Sequence, residues 1–305
     1  MAAPHNIQTK RDIVKPLQYE GEGDTVTTPA DYASLSLTGH TFVAAGHNTE
    51  INLQPDIQHL DTEVLGSEDI VNAVKTGELY AFQISFEPTD TVLMQYAWDA
   101  SGGGVGSIDE SVEFVFTELI NGIENWTRMI GCRPTSMTAT LERGVWTVQM
   151  TWVCKEIKSP VTPDPYTTPS YATEPSAASI THSDAGADPF SWNAVATPEN
   201  RFSVTVTREM AIEAINGQEQ IIYIKAAGRR VEFSVETYVK DILILADYTS
   251  KTARAANYSF STAPNKDFAF VDCLITSYSR TKSAASADAF MESVTARAES
   301  VTDFV

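Results

Sequence analysis

The sequence predicts a mainly β protein with short helices, built as two tandem β-sandwich or barrel domains related by internal duplication. Three observations predict it. Gly77–Leu93 aligns without a gap on Gly228–Ile244, which sets Gly77 on Gly228, Phe82 on Phe233, Ile84 on Val235 and Asp90 on Asp241. Further on, Glu113-Phe-Val-Phe116 matches Asn257-Tyr-Ser-Phe260, and Cys132-x-x-Thr135-Ser136 matches Cys273-x-x-Thr276-Ser277. Blocks that keep their order while the spacers change length are the mark of an internal repeat. The third observation is the alternation of apolar and polar residues inside those blocks, the period of a half-buried strand.

Taken in order, residues 1–37 read as a polar N-terminal arm, with a disordered tail as the alternative. Residues 38–158 form the first domain. Thr41–Gly46 and Thr49–Gln54 read as strands, and Leu79–Glu87 is the clearest, with Tyr80, Phe82, Ile84 and Phe86 on one face. Thr89-Asp90 caps a short helix through Val92, Leu93 and Tyr96. A Gly-rich loop follows at 101–110, and then strands at Val112–Thr117, Trp126–Arg133, Ser136–Thr140 and Trp146–Val153. Residues 159–195 carry most of the Pro, Ser and Thr punctuation and read as a linker. Residues 196–305 form the second domain. Its strands are marked by Phe202, Val204 and Val206, by Ile221 and Tyr223, and by Val231, Phe233 and Val235, and its helix is read as Lys240–Tyr248 with Ile242, Leu243 and Leu245 inward.

The chain has 305 residues, enough for two ordinary domains. It is 43% hydrophobic and 10% aromatic, well inside the globular class. A net charge of -19, from 40 acidic and 21 basic residues, argues against a surface that grips nucleic acid through phosphate contacts. The acidic bias is also a hint of a salty host. Cys132 and Cys273 occupy equivalent repeat positions, so each is expected to fill the same core slot in its own domain. Cys154 has no counterpart. No CxxC or His/Cys cluster offers a zinc site, and no cofactor is expected. Met-Ala-Ala-Pro-His lacks the apolar segment of a signal peptide, and no run approaches the ~18 residues of a membrane span. Folding in a cytoplasm is the expectation.

Catalysis finds no support in the motifs. The five histidines are scattered, and none falls in the second domain. Gly102-Gly-Gly-Val-Gly-Ser lacks the Lys and the spacing of a phosphate-binding loop. No GxSxG or HExxH occurs, and no carboxylate pair stands out. The chain is read as a non-enzyme.

Each repeat runs as a strand pair, a long alternating strand, a short helix, and then three or four strands ending in an amphipathic one. That order resembles the tail tube proteins, or major tail proteins, of long-tailed viruses of bacteria and archaea. The residues that carry the resemblance are the two Gly-(x)4-Phe-x-(Ile/Val) strands running into Asp90 and Asp241, the two Cys-x-x-Thr-Ser segments, and Ile130–Met137 followed by Trp146–Trp152. The chain departs from many members in carrying the domain twice.

The resemblance implies a structural virion protein that builds stacked rings of a hollow tail tube and conducts double-stranded DNA into the host cell. Members form rings of six small domains whose inner sheets merge into one barrel. Two domains per chain imply a homotrimeric ring with pseudo-sixfold symmetry, the alternative being a homohexamer. Four inner strands per domain make about 24; at ~4.8 Å spacing and ~40° tilt the backbone barrel is about 48 Å across. Further partners would be tail terminator and tail-tip or baseplate proteins, and DNA that passes without tight binding. The protein would reside in the virion tail after assembly in the host cytoplasm.

The polar faces of the alternating strands supply the lumen-lining candidates: Glu50, Asn52, Gln83, Ser85, Glu87, Thr205, Glu232, Ser234 and Glu236. The alternative for each is a face turned outward or against a neighbour. Gly102, Gly103, Gly104, Val105, Gly106, Asp109 and Glu110 are candidates for contact between stacked rings, because a flexible polar loop can order on its partner. The arm and the linker are candidates for strapping subunits together. Competing readings are the tube of a contractile injection or secretion machine, and a two-module β-sandwich that binds a surface through exposed aromatic platforms. Trp98, Trp126, Trp146 and Trp152 fit core positions and weaken the last of these.

Overall fold

The computed structural model describes residues 12–23, 41–63, 70–98, 111–120, 123–142, 144–161, 170–171, 188–214, 221–239, 241–259, 267–282 and 290–302. The first half consists of β1 (Asp12–Gly23), β2 (Thr41–Ala44), β3 (His47–Glu63), β4 (Ile70–Glu87), α1 (Val92–Trp98), β5 (Ser111–Ile120), β6 (Ile123–Glu142), β7 (Val145–Cys154) and β8 (Glu156–Val161). After β9 (Ser170–Tyr171) come β10 (Phe190–Trp192), β11 (Val195–Thr197), β12 (Glu199–Ala214), β13 (Ile221–Tyr238), α2 (Leu243–Ser250), β14 (Arg254–Ser259), β15 (Asp267–Lys282), β16 (Phe290–Ala298) and β17 (Ser300–Thr302). Alternating β-branched and aromatic residues make strands the favoured state over most of this length.

Eight strands form one long antiparallel sheet, in the order β3-β4-β7-β6-β12-β13-β16-β15. Each half contributes four, and β6 pairs directly with β12 across the middle. Two shorter layers cover one face of it: β1, β5, β8 and the start of β6 over the first half, and β10, β14, β17 and the start of β15 over the second. The core lies between the layers. Phe82 meets Phe114 at 5.3 Å and Phe233 meets Phe270 at 4.4 Å between ring centroids. A single cluster of buried residues runs through both halves.

The second half repeats the pairings of the first. β3–β4 corresponds to β12–β13, β4–β7 to β13–β16, β5–β6 to β14–β15 and β6–β8 to β15–β17. The irregularities recur too. A bulge at Gln58/His59, beside Gly77, matches one at Glu209/Met210, beside Gly228. Another skips Thr135, whose hydroxyl donates to the Thr151 carbonyl at 3.2 Å; its match skips Thr276, which donates to the Thr295 carbonyl at 3.2 Å. Asp90 accepts the Val92 N–H at 2.9 Å and Asp241 accepts that of Leu243 at 2.8 Å, so both helices open on the same side-chain turn.

β6 and β15 each serve two layers, which requires a corner. It falls at Gly131 (φ 65°) and at Asp272 (φ 50°), each immediately before a buried cysteine. The left-handed region costs a residue with a Cβ roughly 1–2 kcal/mol, and Gly and Asp are among the few that adopt it routinely. The Cys273 thiol is pushed up to about 12, chiefly by burial. The two corners make opposite predictions. Gly131→Ala is expected to lose about 1 kcal/mol and Asp272→Gly to lose nothing or gain a few tenths, measured by urea denaturation. Equal losses at both sites would contradict the corner account.

Several sequence expectations are corrected here. Trp126–Arg133 and Ser136–Thr140 belong to one bent strand, since Pro134, which lacks an N–H, sits beside the bulge instead of breaking the ladder. The second helix starts at Leu243, later than Lys240, because Asp241 takes that residue's N–H. Its fully buried residues are accordingly Ile244 and Asp247; Leu243 packs half-buried on the core as expected, whereas Ile242 is 70% exposed. Val112 faces Cys132 as Arg254 faces Cys273, so Glu113 corresponds to Ala255 and lies two residues from the aligned Asn257. Parts of the spans read as arm and linker are strands: β1 lies on β5, the end of β8 lies on β6, β9 lies on β2, and β10 lies on β14. The rest of 1–37, and 162–169 and 172–187, lie outside the described residues.

Candidate functional site

The apolar side of the long sheet lies under the covering layers, and its other side is mainly polar, with Ala81, Val153 and Leu274 as apolar exceptions. Strand periodicity requires this: Phe82, Ile84 and Phe86 are buried, so Gln83, Ser85 and Glu87 project the opposite way. Cross-strand register then places the polar residues in rows. One row reads Glu50, Ser85, Gln149, Thr138, Thr205, Glu232 and Arg297 across seven strands. The next reads Asn52, Gln83, Thr151, Ser136, Thr207 and Arg230. On the other side of the first, Thr147, Thr140, Ser203, Ser234, Thr295 and Ser277 align, followed by Arg201, Glu236, Ser293 and Ser279.

All nine lining candidates therefore share one face. Glu50, Asn52, Gln83, Ser85 and Glu87 stand on the first half of the sheet, and Thr205, Glu232, Ser234 and Glu236 on the second. The face is continuous over the join, where the Thr138 and Thr205 hydroxyls lie 3.3 Å apart. Hydroxyl and amide groups dominate it. Its carboxylates include Glu50, Glu87, Glu209, Glu232 and Glu236, set against the guanidinium groups of Arg201, Arg230 and Arg297. Arg230 and Glu232 form an exposed ion pair, and Asn48 Nδ2 donates to Glu87 Oε1 at 2.7 Å.

Sequence reading missed the contributions of β6, β7, β15 and β16. The signal was present: Thr147, Gln149 and Thr151 alternate with Trp146, Val148, Met150 and Trp152, and Ser293, Thr295 and Arg297 alternate with Val294 and Ala296. Only the apolar half of the first alternation was used. The stacking candidates Gly102, Gly103, Gly104, Val105, Gly106, Asp109 and Glu110 lie outside the described residues.

All five tryptophans are buried, at 3% exposure or less, so none forms an exposed aromatic platform. Among the described residues no cluster of three or more His, Cys, Asp or Glu side chains could hold a metal ion. No described helix is long and apolar enough to cross a membrane. A family model described as phage tail tube protein matches residues 20–298 of the chain. No curated protein matches it.

Proposed function

The chain belongs to the phage tail tube protein family, and on that footing we propose that its polar face lines a conduit for double-stranded DNA. A structural role in the virion tail tube follows from the family. The observation that supports the finer reading is the continuous surface across eight strands, on which hydroxyl and amide groups outnumber charged ones and carboxylates outnumber guanidinium groups. DNA carries one negative charge per ~1.7 Å of its axis, so a basic wall would hold it at every step. A wall rich in hydroxyls with a small acidic excess does not hold the duplex and repels it only weakly, so it can slide.

Ring size follows from strand number. Three chains would supply about 24 inner strands and a backbone barrel about 48 Å across, leaving a lumen of roughly 38 Å. Six whole chains would supply about 48 strands and a barrel about 96 Å across, far wider than a single duplex needs. We therefore favour a trimeric ring with pseudo-sixfold symmetry and attribute the repeat of strand order to duplication of one tube domain. Loop 101–110 is proposed to contact the next ring, the arm and linker segments to strap subunits, and terminator and tip proteins to bound the tube. Assembly would take place in the host cytoplasm.

The test is to reverse the wall charge. Ser85→Lys, Gln149→Lys and Thr205→Lys lie in one row and point away from the core, so tubes carrying all three are expected to assemble. DNA release from such particles is expected to slow several-fold at low salt and to recover as salt rises, because screening shortens from ~30 Å at 0.01 M to ~8 Å at 0.15 M. Release that is unchanged at every salt concentration would reject the lining assignment.

A further inference from the structure

We propose that the outer edge of β15, with the exposed side of α2 and Phe290, is a docking surface for the β3 edge of a second copy of this chain. The inference rests on the tube-wall reading and adds the surface and its register. Its template is inside the chain. The pairings among β1 to β8 recur in the second half; the short parallel β2·β9 pair and the β6·β12 join between halves are what remain. The matching join would unite β15 with a β3. Within one chain those strands stand at opposite ends of the long sheet, β3 bonded along its length to β4 and the Leu274–Lys282 part of β15 to β16.

Burial differs in the same sense. In α1, Leu93 through Trp98 are all buried; in α2 only Ile244 and Asp247 are, while Ile242 is 70% and Tyr248 38% exposed. Trp146 is 0% exposed, and Phe290, at the equivalent place on β16, is 42% exposed. The cause in the first half is the second half seated upon it. Trp98 packs on Phe268 at 4.6 Å, and its indole N–H donates to the Thr302 carbonyl at 2.8 Å. Arg208 Nε donates to the Ala97 carbonyl at 2.7 Å, and Trp146 packs on Phe202 at 6.0 Å and Tyr258 at 5.2 Å. Among the described residues the far end of the chain has no such cover. The body shaped to supply it is another first half, because the first half repeats the architecture of the second.

The template also gives the register. Thr140 faces Ser203 and Ala139 faces Val204 at the internal join. Carried over by the shared bulges, Thr281 faces Asn52 of the second copy and Arg280 faces its Leu53. The polar rows then run unbroken from chain to chain. The two joins are not identical. Where the first half has Met137, Ala139 and Val148, the edge has Tyr278, Arg280 and Glu292, with the Tyr278 hydroxyl 2.9 Å and Arg280 3.6 Å from the Glu292 carboxylate. A charged residue on an edge strand discourages indiscriminate pairing before the correct partner arrives. The patches joined are different, so the contact is head-to-tail and closes only as a ring.

Cysteine cross-linking tests the register. Directly opposed strand residues have Cβ atoms about 4.5–5.5 Å apart, near enough for a disulfide to form with small adjustment. Cys132, Cys154 and Cys273 are 0% exposed and stay silent. Asn52→Cys with Thr281→Cys, oxidised after assembly, is expected to give covalent dimers and trimers on a non-reducing gel; either variant alone, and Asn52→Cys with Ser279→Cys, should give few. Rings or tubes that form from the double variant yet remain monomeric on the gel would overturn the docking surface while leaving the tube reading intact. If the native chain forms neither rings nor tubes with tail-tip proteins present, the tube reading fails and the docking surface with it. Ile242→Asp with Tyr248→Asp gives a second arm: assembly should be lost with the melting temperature unchanged, and assembly at the native level would overturn the proposal.

Discussion

Trp98→Ala is expected to destabilise the chain by about 3–5 kcal/mol, the usual cost of removing a buried Trp or Phe side chain. Trp98 ends α1 in the first half, yet its ring is enclosed by the second, against Phe268 at 4.6 Å and Phe270 at 5.5 Å. Removal empties the space between halves and strands the Thr302 carbonyl that accepts the indole N–H at 2.8 Å. Trp98→Phe should cost less, since it keeps most of the packing and loses only the hydrogen bond and part of the ring. Urea denaturation of both variants reads the difference. A loss below about 1 kcal/mol for the alanine variant would mean that the halves do not share a core as described.

The second large effect concerns charge. Arg128 on β6 and Glu113 on β5 form an ion pair of 2.7 Å, with side chains 5% and 1% exposed. Removing one partner takes away a close opposite charge in a dry site, and breaking a buried pair typically costs about 3–5 kcal/mol. Glu113→Gln and Arg128→Met are each expected to fall in that range. The double variant Glu113→Leu with Arg128→Met should recover much of the loss, because a buried pair repays little beyond its own desolvation. Single and double losses that simply add would show that the two groups do not interact.

Alternation within a strand was the most legible signal. Tyr80, Phe82, Ile84 and Phe86 were read on one side of β4, and the buried positions of that strand fall on that side. The same parity places all nine lining candidates on one face without knowledge of any partner strand. Long-range pairing was not legible. Nothing local to Ser136, Thr138 and Thr140 announces that Ser203, Thr205 and Thr207 will lie beside them, since each row is polar and would suit solvent as well. Proline misled once: proline-rich composition around 159–195 concealed β10, which places Phe190 and Trp192 in the core. The second helix was misplaced because Ile242 and Leu245 look inward by hydrophobicity along with Leu243, which does pack on the core, whereas the start imposed by Asp241 turns Ile244 and Asp247 fully inward. Asp247 is held there by the Trp192 indole N–H at 2.9 Å, a contact that periodicity cannot reveal.

The most direct measurement is a helical reconstruction by electron cryomicroscopy of tubes assembled from the purified chain. The account predicts three chains per ring, an inner barrel of about 24 strands roughly 48 Å across at the backbone, and Ser85, Gln149, Thr205 and Ser234 facing the lumen. Six chains per ring, or a wall in which that polar face is turned outward, would contradict it.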